Sequence, residues 1–160
     1  MILMKFATEI KGDSTVEGHA DWITVDSIQL GVGRAISSSG GSIDRETSNP
    51  SFSEVSISKS MDKASTELLI QATCGKSLGK CEIHFIQTGG GDVKDQVYLK
   101  YELSECIVSS YSVSSGGERP TESVSLSFTQ IKTQYTRFKD GKAVESGDEK
   151  GWDLQKNQTI

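Results

Sequence analysis

The chain of 160 residues carries 22 acidic and 17 basic side chains, a formal net charge of −5, and 34% of its residues are hydrophobic. Its length suits a single domain over residues 1–160 with a buried core. The negative charge argues against nucleic acid and anionic membrane as partners, and no run of about 18 apolar residues predicts a membrane span. The opening MILMKFATEIKGD is too short and too charged for a signal peptide, so we expect a cytoplasmic protein without an address for general export.

Apolar and polar residues alternate along most of the chain, which predicts strands with one buried face. In the segment SIQLGVGR, for example, Ile28 and Leu30 share one face of the predicted strand and Gln29 lies on the other. Near residue 130 the apolar phase shifts to Ile131, which predicts a β-bulge after Gln130. The segments are ILMKFATEI, SIQLGVGR, KCEIHFIQ, QVYLKYELSECIVSSYSV and TESVSLSFTQIKTQY.

One segment, SMDKASTELLIQATCG, has helical spacing instead, with Met61 and Leu68 on one face. We expect a helix from Met61 to Cys74, with Ser60 as its cap and Gly75 just past its end. One helix among many strands predicts a mainly β fold, either a β-barrel or two packed sheets, with the helix covering one end.

The segment GDSTVEGHADWITVD concentrates polar side chains, among them Glu17, His19 and Asp21. These three residues suit either a metal or ligand site or an acid-base pair, but a turn stabilised by local hydrogen bonds is the simpler interpretation. The other histidine, His84, lies on the polar face of its strand, and we expect it to be unrelated to His19.

Motifs for other chemistry are incomplete. GGGD lacks the ending of a phosphate-binding loop, GVGR lacks the rest of a dinucleotide fingerprint, and no serine lies in a GxSxG elbow. The three cysteines Cys74, Cys81 and Cys106 have no CxxC spacing, so we expect reduced and mostly buried thiols. We expect no enzyme activity, no cofactor and no bound metal.

Two further stretches are candidates for contacts with other molecules. Ser123, Ser125, Ser127 and Thr129 form a small, polar strand face, which would be turned to solvent, meet an identical neighbour or line a wet channel. Residues 35–54 form a long polar stretch, and loops of this length are often functional.

The motifs together resemble those of the haemolysin-coregulated protein family, the tube subunits of the bacterial type VI secretion system. Four matches occur in series over nearly the whole chain, and the polar loop at residues 36–51 is a variable part of the family. The matching segments are KGDSTVEGHADWITVDSIQLGVGR, SEVSISKSMDKASTELL, GGERPTESVSLSFTQIKTQY and GWDLQKN.

The resemblance implies a β-barrel of two packed antiparallel sheets with one α-helix at its side. It also implies six-membered rings that stack head to tail into a tube inside a contractile sheath, with a valine-glycine repeat spike protein at the tip. Small effector proteins would travel in the lumen. The tube would assemble in the bacterial cytoplasm and leave the cell through the type VI machine, without a signal peptide.

By this analogy we expect subunit or ring contacts at seven residues and a lumen-facing side chain at Gln29. The seven are Glu17, His19, Asp21, Ser42, Asp44, Arg45 and Glu46. Two alternatives stay open: a monomeric β-barrel that binds a small ligand or metal through Glu17, His19 and Asp21, and a tail-tube protein of a phage-like contractile machine.

Overall fold

The computed structural model describes residues 1–37, 46–89 and 94–160, and within them the chain is mainly β with one helix. This confirms the predicted fold class. No helix in these ranges is long and apolar enough to span a membrane. The elements are β1 (Ile2–Phe6), β2 (Ile23–Val25), β3 (Ser27–Gln29), β4 (Val32–Gly33), β5 (Ile36–Ser37), β6 (Glu46–Thr47), β7 (Ser51–Phe52), β8 (Val55–Ser60), α1 (Ser65–Cys74), β9 (Cys81–Gln87), β10 (Gln96–Ser104), β11 (Ile107–Ser114), β12 (Thr121–Ser127), β13 (Gln130–Lys139), β14 (Lys142–Ser146), β15 (Lys150–Asp153) and β16 (Gln158–Thr159).

Most strands belong to two antiparallel sheets. The large sheet has the order β16-β15-β13-β10-β9-β1-β2, with β14 also paired to β13, and the small sheet has the order β11-β12-β8-β3. The described chain passes between the sheets at the corners Asp26, Glu105–Cys106 and Phe128–Thr129, and a fourth time through α1, which connects β8 to β9. Glu105 has a left-handed φ of 50°, which turns the chain sharply between β10 and β11.

The core lies between the two sheets, where the predicted alternation places the apolar side chains. Ile83 and Leu103 of the large sheet and Val124 and Leu126 of the small sheet are fully buried. Burial of this apolar area is the main force that holds the sheets together. Trp152 and Leu154 near the end of the chain also pack on this core.

The helix begins later than predicted. It starts at Ser65 because β8 continues through Ser60, which pairs with Thr121 of β12 and so cannot cap a helix. The N-cap residue is Ala64, which makes no side-chain capping bond. Gly75 ends the helix with φ 64°, as the sequence predicts.

The predicted bulge after Gln130 is wrong. The phase of the apolar residues changes there because β12 and β13 belong to different sheets, so the corner at Phe128–Thr129 reverses which side of the strand is buried. The register irregularities lie elsewhere, in β10, β11 and the β13–β14 pair.

All three cysteines are free, and Cys81 and Cys106 are buried while Cys74 is exposed. Burial raises the pKa of the Cys81 thiol well above its ordinary value, and a hydrogen bond with Cys106 acts in the same direction. A thiol with a raised pKa is a poor nucleophile, which agrees with a structural role for this pair.

Candidate functional site

The segment between β1 and β2 folds back on itself and covers the outside of the large sheet. We call residues 12–22 the flap. Its two ends are joined by backbone hydrogen bonds from Gly12 N to Asp21 O (2.8 Å) and from Ser14 N to Trp22 O (3.1 Å). Gly12 is required there, since a Cβ atom would lie 2.3 Å from the Trp22 carbonyl oxygen. The polar stretch is therefore a packed cover, larger than the turn that the sequence indicates.

Trp22 anchors the flap. Its ring packs with Leu3 of β1 and Ile86 of β9 in a second apolar cluster, separate from the core between the sheets. Leu3 is fully buried although it lies on the outward face of β1, because the flap shields it from water.

Glu17, His19 and Asp21, the three flap residues considered as metal ligands, each interact with a different side chain. The Glu17 carboxylate binds Lys94 (2.6 Å), and the Asp21 carboxylate binds Lys63 (3.0 Å) near the start of α1. His19 Nε2 lies 2.8 Å from His84 Nδ1. Among the described residues no group of three or more His, Cys, Asp or Glu side chains is placed to hold a metal ion. Glu17, His19 and Asp21 therefore do not form a group of three side chains placed to hold a metal ion.

The expectation that the two histidines are unrelated is also wrong. His19 and His84 are in contact, and both rings pack against Trp22, with centroids 4.6 and 4.7 Å from the indole. The pKa of His84 falls from 6.5 to about 4, mainly because the ring is partly buried, and also because His19 and Lys100 repel a positive charge there. Sequence periodicity cannot show this contact, since the two residues are 65 positions apart.

A second polar cluster, which the sequence analysis missed, lies buried at the start of the helix. The side chains of Lys59 and Glu122 are fully buried, and Lys59 Nζ donates to Glu122 Oε2 at 2.5 Å. Lys59 also donates to Asp62 Oδ1 at 2.8 Å and to Ser65 Oγ at 3.2 Å. Ser65 and Tyr111 in turn donate their hydroxyl hydrogens to Glu122. We call Lys59, Asp62, Ser65, Tyr111 and Glu122 the buried polar network.

The network keeps Glu122 ionised. Burial raises the pKa of this carboxyl group, but the hydrogen bonds from Lys59, Tyr111 and Ser65 outweigh burial and lower the pKa overall. Burial and the bond to Glu122 raise the pKa of Tyr111 to about 12. The network joins β8, β11 and β12 to the first residue of α1, so it fixes the helix on the small sheet.

The outward face of the small sheet is neutral and rich in hydroxyl groups. Ser112, Ser123, Ser58 and Ser27 are consecutive neighbours across its four strands. A second row ends in Gln29 of β3, the residue predicted to face a lumen. The predicted serine face of β12 thus extends across the whole sheet, although Thr129 lies beyond the strand at a corner. We call this surface the serine face; its rows are Ser112-Ser123-Ser58-Ser27, Ser110-Ser125-Ser56-Gln29 and Ser114-Thr121-Ser60.

The outward face of the large sheet is charged instead. Lys80 bridges Glu82 of β9 (2.6 Å) and Glu102 of β10 (3.4 Å), and Lys132 of β13 pairs with Glu149 (3.1 Å). The two sheets therefore present opposite chemistry to their surroundings: charged on one side and neutral on the other.

A narrow β-ribbon extends from the small sheet. The pairs β4–β7 and β5–β6 continue the β3–β8 pair outward, with Val32 opposite Phe52 and Ile36 opposite Thr47. Val32 and Ile36 are 60% and 59% exposed. We call residues 30–37 and 46–54 the arm. Glu46 begins β6, and the predicted contact residues Ser42, Asp44 and Arg45 lie outside the described residues.

Comparisons with known proteins agree with this architecture. Residues 3–135 match the family model described as type VI secretion system effector, Hcp. The chain is 35% identical over 108 residues to protein hcp1 of Pseudomonas aeruginosa, and this alignment covers 65% of each chain. A solved structure described as a type six secretion system protein has a TM-score of 0.90 at 26% identity, over 99% of this chain and 98% of the other. Hcp1 of Salmonella typhimurium has a TM-score of 0.77 at 24% identity, over 99% and 97% of the two chains.

Proposed function

This chain belongs to the Hcp family of type VI secretion system tube proteins, and from that premise we propose that six copies close into a ring with the serine face toward its axis. The observation that carries the proposal is the contrast between the two outward faces. A passage for varied proteins is served by a neutral, hydrogen-bonding wall of small side chains, since fixed charges would retain cargo of opposite sign.

Ring closure would join the small sheets edge to edge. Within the described residues the edge strands of the small sheet are β3 and β11, and both leave backbone N–H and C=O groups without a neighbouring strand in that sheet. If β11 of one copy lies beside β3 of the next, each ring gains a continuous wall and exposes no edges there.

The dimensions of such a wall suit protein cargo. Six copies of a four-stranded sheet supply 24 strands, and a spacing of about 4.8 Å gives a circumference of about 115 Å and a diameter of about 37 Å. A folded protein of about 100 residues has a radius of gyration near 13 Å, so only small effectors would fit once side chains line the wall.

The arm would supply the contact between stacked rings. Its strand pairs lie outside the two main sheets and expose two large apolar side chains, Val32 and Ile36, which a neighbouring ring would cover. The flap residues Glu17, His19 and Asp21 are occupied by partners in their own chain, so the arm is the better candidate for this contact.

The remaining roles follow from the family. The tube would assemble in the cytoplasm inside a contractile sheath, carry a valine-glycine repeat spike at its tip and be expelled with small effectors in its lumen. The chain would act without catalysis, cofactor or metal. A phage-like contractile machine would use the same architecture, and the neighbouring genes distinguish that alternative.

A pair of aspartate variants tests ring closure. Val113 on β11 is 52% exposed near the proposed subunit contact, whereas Ser123 is exposed at the middle of the serine face. We expect Val113→Asp to reduce the hexamer to smaller species in light scattering, because a charge would be buried at the contact. Ser123→Asp should leave the hexamer intact. A wild-type chain that stays monomeric at high concentration, or a hexamer broken equally by both variants, would contradict the proposal.

A further inference from the structure

The contact between the flap and the large sheet contains a hydrogen bond between two histidine rings, at least one of which must be neutral. The nitrogens His19 Nε2 and His84 Nδ1 are 2.8 Å apart, so one of them must carry the hydrogen and the other must offer its lone pair. When both rings are cations, both nitrogens are N–H donors and the bond is lost. His19 Nδ1 is buried without a partner, so no acceptor within the described protein compensates a proton there.

Two lysines and one glutamate lie near the pair, and Lys100 opposes the protonation of His84. Lys5 of β1 lies 5.9 Å from the centre of the Trp22 ring, and Lys100 of β10 is the cross-strand neighbour of His84. Glu82 of β9 is the anion that favours a charged His84. Among the other charged groups of the flap, Glu17 pairs with Lys94 and Asp21 with Lys63 on the exposed surface, and Asp13 is also exposed.

We infer that the His19–His84 pair is an acid-sensitive latch, which holds the flap on the large sheet at neutral pH and releases it when both rings are protonated. Release would expose Trp22, Leu3 and Ile86, which are at most 8% exposed in the closed flap. The inference concerns the flap within one chain and does not depend on the proposed function.

The direction of the pH dependence follows from the lowered pKa of His84. The closed flap favours the neutral ring, with a pKa of about 4 against an ordinary value of 6.5. The latch is therefore fully effective above about pH 6.5 and weakens as the pH falls toward 4.

Tryptophan fluorescence can follow the latch because the chain has two tryptophans, Trp22 in the flap and Trp152 in β15. In a Trp152→Phe chain, which leaves Trp22 as reporter, we expect quenching by acrylamide to rise about two-fold or more between pH 7.5 and 4.5 as the indole becomes exposed. A Trp22→Phe chain reports from Trp152 and should show no change over this range.

The control for the latch is His84→Phe in the Trp152→Phe chain, which keeps an aromatic ring against Trp22 but cannot be protonated. We expect it to lose most of the acid response. An unchanged response in His84→Phe, or equal acid responses from Trp22 and Trp152, would overturn the inference.

A second measurement needs no variant. NMR spectra of the chain with nitrogen-15-labelled histidines follow the titration of each of the two rings, and His84 should titrate clearly below pH 6.5. Titration of both rings near 6.5 would equally overturn the inference, because the pair would then impose no constraint on protonation.

Discussion

The buried polar network makes a sharp prediction about stability, because its charges are unequal in number. Among the described residues Lys59 is the network's one cation, and it contacts two carboxylates, Glu122 and Asp62, whose side chains are 0% and 9% exposed. Lys59→Met would therefore leave two nearly buried anions without a cation. Breaking a buried ion pair by removal of one partner typically costs about 3–5 kcal/mol, a large part of the 5–15 kcal/mol that holds a typical domain folded.

Glu122→Gln should lower the free energy of unfolding by less than Lys59→Met does. The ammonium group of Lys59 would keep Asp62, Ser65 and the Ser60 carbonyl oxygen as acceptors, and we expect a loss of about 1–3 kcal/mol. The double variant Lys59→Met, Glu122→Leu should be more stable than the sum of the losses in Lys59→Met and Glu122→Leu predicts, because it removes the more deeply buried of the two unpaired anions.

The assay is urea unfolding followed by circular dichroism at one fixed protomer concentration, since assembly would otherwise shift the midpoint. The matched control is Lys63→Met, which removes a lysine of an exposed pair with Asp21 and should have little effect. The reasoning is refuted if Lys59→Met is no more harmful than Lys63→Met, or if Glu122→Gln is the more damaging of the two network variants.

Three other expectations follow from the structure. Since the pKa of Glu122 is lowered from 4.5 in the folded chain, its contribution is complete above about pH 4.5 and is lost below it, so urea midpoints of the wild type should fall more steeply there than those of Glu122→Gln. Gly12→Ala should destabilise the chain by about 2 kcal/mol or more, because its Cβ would collide with the Trp22 backbone, whereas Gly116→Ala enters open space and should be near neutral in the same assay. Replacing the exposed pair Val32 and Ile36 by serine should leave the unfolding midpoint unchanged but shorten the stacks of rings seen by negative-stain electron microscopy; stacks of wild-type length would contradict a role of the arm in stacking.

The β architecture could be predicted from the sequence because alternation records which side of a strand is buried. Val124 and Leu126 alternate with serines, and the structure buries them as expected. The same pattern contained an unused signal. Glu122 is in phase with Val124, and Lys59 is in phase with Val55 and Ile57, so both charges occupy core positions. Two opposite charges at core phases indicate a buried ion pair.

The flap could not be predicted in the same way. Its contacts join His19 to His84 and Trp22 to Leu3 across long sequence separations, and nothing in the local pattern specifies which face of the sheet it covers. The corner at Phe128–Thr129 resembles a bulge in the sequence for a related reason. A change of sheet and a bulge both shift the phase of apolar residues by one position, and only the strand pairing separates them.

Cryo-electron microscopy of the assembled tube tests the central claim most directly. We expect a six-fold ring whose inner wall contains 24 strands, with Gln29, Ser58, Ser123 and Ser112 facing the axis. A wall built from the large sheet, with Glu82, Glu102 and Lys132 toward the lumen, would contradict the account.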